Sequence, residues 1–421
     1  MQTFAYIMNI VNLVLCGLFV LCYSYQFFYT ILVLVKKKKK LPEGKPNRIA
    51  VLSCARNEEG VIAQLIDSLK KQDYDPSLYE IFVLADNCTD RTAEVAREAG
   101  ATRVWERHNR EQVGKGYALD YLLGKMDEEF GADAFDAYVV FDSDNLVASN
   151  YLTEINRVYS AGYEMVASYR NSKNYGDSWV AAGSGMWFIR DAKFLNGARA
   201  ALGGSAWLAG TGFLFSRKIK EEQGGWPFHT LTEDIEFMID NVLRGYRVGY
   251  ADDAEFFDEQ SGGFMEAFWQ RLRWARGGLQ VFAKYWKQLF KKCAKGDFSC
   301  MDYTVSIAPA YALSVFMMLF NIVGIAVTLI GGVFMTVAPI LLGMAIAIMG
   351  LVLVFSAITT ISEWKKLHAP AWKKILYIFT FVPYMLTYVP IAFCAMVMPV
   401  KWRETKHSSQ KTIESMTADQ K

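Results

Sequence analysis

The stretch YVVFDSDNLV, residues 138–147, places two aspartates two positions apart directly after a run of apolar residues. The run predicts a buried strand, and Asp142 and Asp144 stand where that strand reaches the surface. Two acids after a strand are commonly turn residues, but such a pair also suits a hard divalent cation, which binds carboxylate and phosphate oxygens. The rest of the chain decides between a turn and a metal site.

Strand and helix patterns alternate upstream of this pair. Strand-like runs at 47–53, 79–85, 101–107 and 136–141 are separated by helical patterns at 58–71, 90–100 and 116–126. This alternation predicts a parallel sheet covered by helices on both faces. Ligands of such sheets bind beyond the carboxyl ends of the strands, so the candidate site lies in the loops 54–59, 86–90, 108–115 and 142–145.

Familiar phosphate-binding and metal-binding motifs do not match the sequence. GKG at 114–116 is not a Walker A loop, because Asn109 replaces its first glycine, and Leu119 excludes a G-x-G-x-x-G loop. Leu146 at the fifth position excludes a calcium loop. Seven cysteines without a C-x-x-C pair and only four histidines provide no zinc motif. A divalent cation on a nucleotide diphosphate is the remaining chemistry, because it would neutralise a phosphate leaving group.

Long apolar stretches flank this α/β region. Residues 4–35 contain no Asp, Glu, Lys or Arg and would form a helix about 48 Å long, enough to cross a bilayer. The stretch KKKKK at 36–40 places the following residues on the cytoplasmic side by the positive-inside rule, and no small-residue cleavage site follows. Three further apolar stretches occur at 303–332, 337–362 and 373–400; burial in a large soluble domain is their alternative.

Two downstream motifs carry further candidates. HTLTEDIEF, residues 229–237, puts Glu233 and Asp234 at the start of a predicted helix, where Thr230 and Glu233 could instead form a capping box. FWQRLRWARGG, residues 268–278, crowds Gln270, Arg273 and Trp274 into one or two helical turns. A basic amphipathic helix on the membrane surface would explain its arginines without requiring Gln270 and Trp274.

Taken in order, Asp86, the D-x-D of 142–144, the T-E-D of 232–234 and the Q-x-x-R-W of 270–274 resemble the membrane-embedded, processive family 2 glycosyltransferases. These include the cellulose, chitin, hyaluronan and poly-N-acetylglucosamine synthases. The resemblance covers about residues 45–280 and extends to the flanking apolar stretches. It implies an α/β fold of GT-A type (Rossmann-like) in a cytoplasmic domain, joined to an α-helical transmembrane region in the cell membrane.

The implied organisation has six parts: a transmembrane helix (1–35), a basic linker (36–46), the glycosyltransferase domain (47–260), amphipathic interface helices (261–300), further transmembrane helices (301–400) and a polar tail (401–421). The implied reaction is inverting, processive polymerisation of a UDP-sugar into a β-linked polysaccharide that crosses the membrane. A non-processive enzyme that adds one sugar to a lipid is the first alternative. A protein that only binds or transports nucleotide sugar is the second.

Residue roles follow from the resemblance. Asp234 would be the general base, with Glu233 beside it, and Asp144 together with Asp142 would hold Mg²⁺ or Mn²⁺. The donor would be bound by a set of polar side chains: Asn57, Glu58, Asp86, Lys115, Asp142 and Arg273. The acceptor would contact Gln270 and Trp274 and a glycine-rich stretch made of Gly210, Thr211 and Gly212. A solvated lysine at 115 and a tight turn at 210–212 are the alternatives.

The predicted partners are a UDP-linked nucleotide sugar, a growing polysaccharide or lipid acceptor and membrane lipids, and no nucleic acid. The sugar, its linkage and any partner subunit stay open. VKWRETKHSSQ, residues 400–410, resembles a segment that closes over the donor in some family members. Four spans would put this basic tail outside, against the charge rule, so 373–400, with Pro383 and Pro390, is the segment expected to bend or re-enter.

Overall fold

The computed structural model describes residues 1–36, 41–400, 405, 407 and 409–418. Four of the lysines that set the expected orientation (37–40) and much of the expected closing segment (401–404, 406 and 408) lie outside these residues. Within the described chain, the strands are β1 Ile49–Ala55, β2 Tyr79–Asp86, β3 Arg103–Arg107, β4 Ala137–Phe141, β5 Leu146–Val147, β6 Met165–Ser172, β7 Phe213–Ser216 and β8 Val248–Asp258.

The helices surround one sheet and then continue into an apolar bundle. They are α1 Gln2–Tyr23, α2 Tyr25–Val35, α3 Ile62–Leu69, α4 Thr92–Glu98, α5 Lys115–Phe130, α6 Tyr151–Ser160, α7 Trp179–Arg190, α8 Gly197–Ala201, α9 Arg217–Gln223, α10 Glu233–Arg244, α11 Phe264–Cys293, α12 Phe298–Ile330, α13 Phe334–Ser362, α14 Ala371–Leu386, α15 Tyr388–Val397 and α16 Ile413–Ala418. A short 3₁₀ turn, Pro76–Leu78, precedes β2, and a π-helical turn, Asp191–Asn196, joins α7 to α8.

The strands form a single sheet in the order β3-β2-β1-β4-β7-β6-β8-β5. Side chains alternate across it, so Leu52 of β1 packs in the core beneath α5 and α10, whereas Val51 packs beneath α3 and α6. Both side chains are fully buried, and each such burial contributes about 1.5–3 kcal/mol. The predicted α/β sandwich with helices on both faces is confirmed.

The four predicted strands are parallel, as expected, and the later strands β7 and β5 make the sheet a mixed one. Strands β1 to β4 are mutually parallel, but β7 runs antiparallel to both β4 and β6, and β5 runs antiparallel to β8. The reason is the path of the chain. It returns at the edge where β4 ends, where the Gly212 amide bonds the Val140 carbonyl oxygen, and β7 therefore begins where β4 stops.

Four helical segments are long and apolar enough to cross a membrane: Gln2–Val35, Phe298–Ile330, Phe334–Ser362 and Ala371–Val397. The first is interrupted at Ser24, so that α1 lies in the apolar bundle while α2 packs on the α/β domain. The far ends of α1, α12 and α13 meet in an apolar cluster around Met8 and Val337. Next to it, Asn12 of α1 and Asn321 of α12 exchange two amide hydrogen bonds of 3.0 and 2.9 Å.

The fourth segment, α14 and α15, contacts both the α/β domain and helix α11. Near its start the Tyr377 hydroxyl bonds the Gly176 carbonyl oxygen at 3.3 Å, and near its end the Arg276 guanidinium of α11 bonds the Ala395 carbonyl oxygen at 3.0 Å. A straight crossing would separate the two ends by the roughly 30 Å thickness of the hydrocarbon core.

Candidate active site

The predicted site loops converge at one edge of the sheet, because the parallel strands β1, β2, β3 and β4 all end there. A cavity of about 820 Å³ begins at this edge and continues between the apolar helices. Most of the predicted site residues line it: Glu58, Asp86, Lys115, Asp142, Asp144, Gly210, Glu233, Asp234, Gln270, Arg273 and Trp274. Asn57, Thr211 and Gly212 do not.

Asn57 ties two loops of the edge together. Its backbone has φ 54°, in the left-handed region that asparagine tolerates better than most residues. Its side-chain oxygen accepts a hydrogen bond from the Thr89 amide at 2.8 Å. The loop after β1 is thereby fixed to the loop after β2, so Asn57 positions this edge of the sheet without lining the cavity.

Asp86, the last residue of β2, is buried and paired. The Arg107 guanidinium donates to its carboxylate at 2.6 Å, and the Asn87 amide donates at 3.1 Å. Arg107 is the last residue of β3 and escaped the sequence interpretation, although its place at a strand end was a usable signal. The pair leaves one carboxylate oxygen of Asp86 to face the cavity as a hydrogen-bond acceptor.

Lys115 connects the D-x-D to the glycine-rich stretch. Its ammonium group, at the first residue of α5, forms an ion pair with Asp142 and donates to the Gly210 carbonyl oxygen at 2.7 Å. Burial opposes the charged lysine, but Asp142 and Glu233 outweigh it and raise its pKa. Lys115 is therefore a fixed positive charge on the cavity wall, not a solvated lysine.

Asp144 lies deeper than Asp142 and is only 2% exposed. One carboxylate oxygen accepts from the Asn145 amide at 3.2 Å, and the other accepts from the Glu259 backbone amide at 3.2 Å. Burial raises the pKa of Asp144 to about 7, and the negative charges of Asp258 and Asp142 add to this effect. The site therefore disfavours a bare carboxylate here and favours one that is matched by a cation.

The carboxylate oxygens at this edge are ligands that a hard divalent cation prefers. Among the residues that the structure describes, no three His, Cys, Asp or Glu side chains converge into a complete metal site. Mg²⁺ in particular is usually held by one or two carboxylates and completed by substrate phosphates and water. Asp144 and Asp142 can supply that partial shell. The acids after β8, Asp258 and Glu259, were missed, although they end a strand as the D-x-D does.

Thr211 and Gly212 have structural tasks behind the cavity wall. The Thr211 hydroxyl accepts from the Asp142 amide at 2.9 Å and donates to the Asn145 side chain, so it holds the D-x-D loop. Gly212 has φ 61°, and a Cβ there would overlap the Phe256 ring. Only Gly210 of the stretch reaches the cavity, where a Cβ would lie 3.5 Å from the Asp234 carboxylate.

Glu233 and Asp234 occupy the first turn of α10, as predicted. The capping-box alternative is wrong, because Thr232 caps the helix without a side-chain bond and the Thr230 amide bonds Glu236 instead, at 3.1 Å. Burial and then the neighbouring Asp234 raise the pKa of Glu233 to about 7. Burial also raises the pKa of Asp234, against the lowering effect of nearby positive charges. The pair can hold and release a proton near neutral pH.

Helix α11 carries the Q-x-x-R-W residues along the cavity wall. Arg273 donates to the Leu231 carbonyl oxygen at 3.2 Å, next to the start of α10, and Trp274 packs edge-on against Phe188 with ring centroids 5.7 Å apart. Gly277 lets the two helices meet, since a Cβ there would lie 2.5 Å from the Thr232 side chain. Helix α11 is thus packed between the catalytic domain and the apolar bundle.

The cavity changes character along its length. Near the carboxylates its wall is rich in aromatic side chains: Trp187, Phe188, Trp207, Trp274, Tyr311 and Tyr388. Within the bundle the wall is mainly aliphatic and sulfur-containing, with Val20, Met317, Ile348, Leu351, Val352, Met385 and Leu386, and with Phe19 and Phe355 among them. Polar side chains also line this part, among them Tyr23, Gln26, Arg190 and Ser314, and the Arg190 guanidinium lies 4.9 Å from the centre of the Phe355 ring. The cavity is therefore rich in carboxylates at the sheet edge and mainly apolar, with some polar side chains, between the long helices.

The described part of the tail returns to the donor edge. His407 lies 2.7 Å from Glu58, and the Ser409 amide donates to the Glu259 carboxylate at 3.1 Å. Farther on, Met416 of α16 is buried against Leu146. The expected closing segment therefore has its described residues at the donor side, and His407 is a site residue to which the sequence gave no separate role.

Comparison with known proteins agrees with this architecture. Residues 46–277 match the family described as "Glycosyltransferase like family 2". The chain is 30% identical over 258 residues to the β-monoglucosyldiacylglycerol synthase of Nostoc sp., covering 58% of this chain and 51% of that protein. It is 23% identical over 288 residues to the poly-β-1,6-N-acetyl-D-glucosamine synthase of Staphylococcus aureus, covering 62% of each.

Among solved structures, the mannosyltransferase PcManGT from Pyrobaculum calidifontis, in complex with GDP-Man and Mn²⁺, aligns with 90% of this chain and 99% of its own at a TM-score of 0.59 and 18% identity. This likeness shows a shared fold. The chain spans about half the length of the first curated relatives. The family match covers more than half of the chain, and the protein therefore belongs to glycosyltransferase family 2, with a GT-A-type fold.

Proposed function

We propose that the protein transfers a hexosyl group from a UDP-sugar, with inversion at the anomeric carbon, to a hydroxyl group of a lipid that enters from the membrane. The observation that carries the proposal is the single cavity that joins the carboxylates at the sheet edge to the apolar helices. Donor and acceptor can thereby approach Asp234 from opposite directions.

The donor occupies the sheet edge in this proposal. Asp86 accepts hydrogen bonds from the base or ribose, and Asp144, with Asp142, would hold Mg²⁺ or Mn²⁺. When bound, the cation supplies positive charge to the diphosphate leaving group. Lys115 and Arg273 add fixed positive charge to the same region, where burial makes charge more effective than it is in water.

Asp234 is the base. It takes the proton from the acceptor hydroxyl as that oxygen attacks the anomeric carbon, and the bond to the diphosphate breaks on the opposite face. The carboxylate of Asp234 becomes a carboxylic acid, and the new glycosidic bond has the inverted configuration. General base catalysis of this kind contributes about 10²–10⁴-fold to the rate.

A lipid acceptor fits the apolar part of the cavity. Each hydroxyl of a carbohydrate that enters a dry, apolar passage without a hydrogen-bond partner costs about 1–3 kcal/mol on the scale of protein substitutions. Val20, Met317, Leu351 and Val352 offer no such partner, whereas they match acyl chains. The far end of the bundle is also closed by the cluster around Met8, so the apolar part forms a pocket.

Processive polymerisation is the second candidate, and the aromatic wall favours it. Trp187, Trp207 and Trp274 present flat apolar faces on which successive sugar rings of a growing chain can stack. That reaction needs an exit between α1, α12 and α13. Opening it would separate the Asn12–Asn321 amide pair and the apolar cluster beside it.

One reconstitution experiment distinguishes the two. The full chain in lipid nanodiscs is incubated with Mg²⁺ or Mn²⁺, radiolabelled UDP-glucose, UDP-N-acetylglucosamine and, for comparison, GDP-mannose. We expect label in an organic-soluble lipid with one sugar. High-molecular-weight product would establish polymerisation, and no incorporation from any donor would contradict the proposal.

A matched pair of variants on α13 tests the cavity itself. Val352→Trp fills the apolar part of the cavity, whereas Leu342→Trp adds the same side chain at an exposed position of the same helix. We expect at least tenfold slower lipid glycosylation for the first variant only, with the release of UDP by hydrolysis retained. Equal effects of the two variants would contradict a lipid in this cavity.

We further infer that the protein resides in the cell membrane with its catalytic domain in the cytoplasm, where nucleotide sugars are made. The apolar lengths of α1, α12 and α13 support the membrane, and the lysines that begin at Lys36 support the orientation. The test is protease accessibility of the 47–260 region in intact cells and in inverted vesicles. Cleavage in intact cells would reverse the orientation.

A further inference from the structure

Arg190, the last residue of α7, places a buried guanidinium on the cavity wall where the α/β domain meets the long helices. The side chain is only 8% exposed, and its guanidinium lies 4.9 Å from the centre of the Phe355 ring of α13. Its Nη2 atom donates a hydrogen bond to the side-chain oxygen of Gln26 on α2. Among the described residues, Nε and Nη1 have no hydrogen-bond partner, so both are available to a ligand in the cavity.

The positive charge of Arg190 has no carboxylate of its own. Within the described chain no Asp or Glu lies at ion-pair distance from it, whereas its neighbour Arg199 is paired with Asp302 at 2.6 Å. Asp191, the next residue, attracts both arginines from a distance and lies 3.9 Å from Arg199. Burial lowers the pKa of Arg190, but a guanidinium keeps its proton in proteins, so the buried charge is best matched by an anion.

Neutral hydrogen-bonding groups surround this charge. The Tyr25 hydroxyl lies 3.3 Å from the Ser306 hydroxyl, and the Gln26 amide donates to Tyr25 at 3.4 Å. All three side chains line the cavity. One guanidinium beside neutral donors suits a phosphate group, because guanidinium groups bind phosphate oxygens through charge-assisted hydrogen bonds that are stronger than neutral ones.

Apolar surface for acyl chains adjoins the same group. Leu351 and Val352 lie one turn before Phe355 on α13, and all three line the cavity. Residues three and four positions apart share a face of a helix, so the Arg190 guanidinium lies over the end of an apolar stripe. A lipid whose chains rest on this stripe has the region just above its chains, where a glycerophospholipid carries its phosphate, next to Arg190.

We propose that Arg190 binds the phosphate of the acceptor lipid, and that the acceptor is therefore a glycerophospholipid whose headgroup carries a free hydroxyl. The inference rests on the proposed transfer to a lipid and narrows its substrate class. A neutral diacylglycerol would leave the buried guanidinium without an anion. The headgroup extends from Arg190 along the cavity to the carboxylates, where Asp234 lies.

The lipid phosphate takes no part in the bonds that change. The headgroup oxygen forms a bond to the anomeric carbon, the bond from that carbon to the diphosphate breaks, and UDP leaves with the electron pair. Asp234 takes the proton of the headgroup hydroxyl. Both ester bonds of the lipid phosphate stay intact, so Arg190 is a binding residue, and its loss should affect the lipid and not the donor.

The first test compares acceptors. The full chain in nanodiscs of phosphatidylcholine, which has no hydroxyl to accept a sugar, is given Mn²⁺, radiolabelled UDP-glucose or UDP-N-acetylglucosamine, and one of three lipids: phosphatidylglycerol, diacylglycerol or phosphatidic acid. We expect phosphatidylglycerol to be labelled at least about tenfold faster than diacylglycerol, since a buried charge loses its partner in the second. Equal rates would overturn the inference. Label on phosphatidic acid would also overturn it, because the phosphate would then be the nucleophile.

Variants of Arg190 separate a phosphate ligand from a packing role. Arg190→Gln should raise the KM for phosphatidylglycerol at least about tenfold, and Arg190→Lys should restore part of the loss because it keeps the charge. Arg247→Gln, an exposed arginine outside the cavity, is the control. Melting temperatures check the fold, and UDP binding measured by calorimetry should be unchanged. Weaker UDP binding by Arg190→Gln at an unchanged melting temperature would assign the group to the donor diphosphate and overturn the inference.

Native mass spectrometry measures lipid binding without turnover. We expect the wild type to retain phosphatidylglycerol, in competition with diacylglycerol, at least about tenfold better than Arg190→Gln does. Equal retention would overturn the inference.

The outcome is separable from that of the proposed function. Equal transfer of sugar to diacylglycerol and to phosphatidylglycerol would overturn the role of Arg190 and leave the transferase intact. Retention of phosphatidylglycerol that depends on Arg190, in a protein that transfers no sugar from any UDP donor, would leave the phosphate site intact and overturn the transferase proposal.

Discussion

The carboxyl pair Glu233 and Asp234 predicts a pH dependence that few solvent-exposed bases would show. Asp234 must be ionised to accept the proton of the acceptor. Burial and the adjacent Asp234 raise the pKa of Glu233 from its ordinary 4.5 to about 7, and burial raises the pKa of Asp234 as well. A carboxyl whose pKa is raised is protonated over more of the pH range, so activity is lost as the pH falls through that value.

The position and slope of the acidic limb follow from the buried base. Because Asp234 must be ionised, the acidic limb of kcat/KM follows its pKa, which burial raises above the ordinary value of 3.8. Below that pKa the rate should fall about tenfold per pH unit, since one proton inactivates the base. Glu233→Gln removes the neighbouring ionisable group, so a shift of the limb in this variant measures the coupling between the two carboxyls.

The assay follows UDP release in nanodiscs between pH 5 and pH 9 at saturating metal. Asp234→Asn should reduce kcat about 10²–10⁴-fold with little change in donor binding measured by calorimetry. Asp240→Asn, a carboxyl on the same helix that does not line the cavity, is the control. Near-normal turnover in Asp234→Asn would remove Asp234 as the base, and a wild-type limb at or below the ordinary aspartate value of 3.8 would refute the raised pKa of Asp234.

Three further substitutions test the cavity wall and the sheet edge. Trp274→Ala should shorten polymer products or slow lipid transfer, depending on the acceptor; products of unchanged length and rate would mean that the ring only packs. Lys115→Met removes the cation at the D-x-D and should raise the donor KM and lower kcat at least tenfold, so unchanged constants would contradict its role. Gly212→Ala should destabilise the fold by about 2–4 kcal/mol, because its Cβ would overlap Phe256 in a left-handed backbone, whereas Gly162→Ala, left-handed but in open space, should lose only the conformational part. Equal melting temperatures of the two glycine variants would refute the clash.

The sequence alone located those site residues whose position follows from the direction of a strand or from the start of a helix. Asp86, Asp142 and Asp144 could be placed at one edge because parallel strands end on the same side. Glu233 and Asp234 could be placed at a helix start, and they line the same cavity. Of the glycine-rich stretch only Gly210 lines the cavity, since the side on which a residue faces depends on neighbours distant in sequence.

The remainder required contacts that no local pattern encodes. The antiparallel strand β7 depends on where the chain re-enters the sheet, and its four residues carry no signal of direction. Arg107 and Asp86 are 21 residues apart, and His407 is 349 residues from Glu58, so only the folded chain brings each pair together. Hydropathy likewise identifies 371–397 only as a candidate span, because a helix packed between a domain and a bundle can be equally apolar.

The contacts of segment 371–397 bear on the side of the membrane on which the basic tail lies. With four crossings the basic tail would lie opposite the catalytic domain, yet His407 touches Glu58 and Asp144 at the donor edge. The contacts of Tyr377 and Ala395 keep both ends of α14–α15 beside the catalytic domain, so we infer that α1, α12 and α13 are the three crossings. If α1 crosses before the α/β domain and α12 and α13 cross after it, the two later crossings return the tail to the side on which the domain lies. The same geometry requires that a tag placed after residue 421 be accessible from the side that carries the α/β domain, and its detection on the opposite side would contradict three crossings.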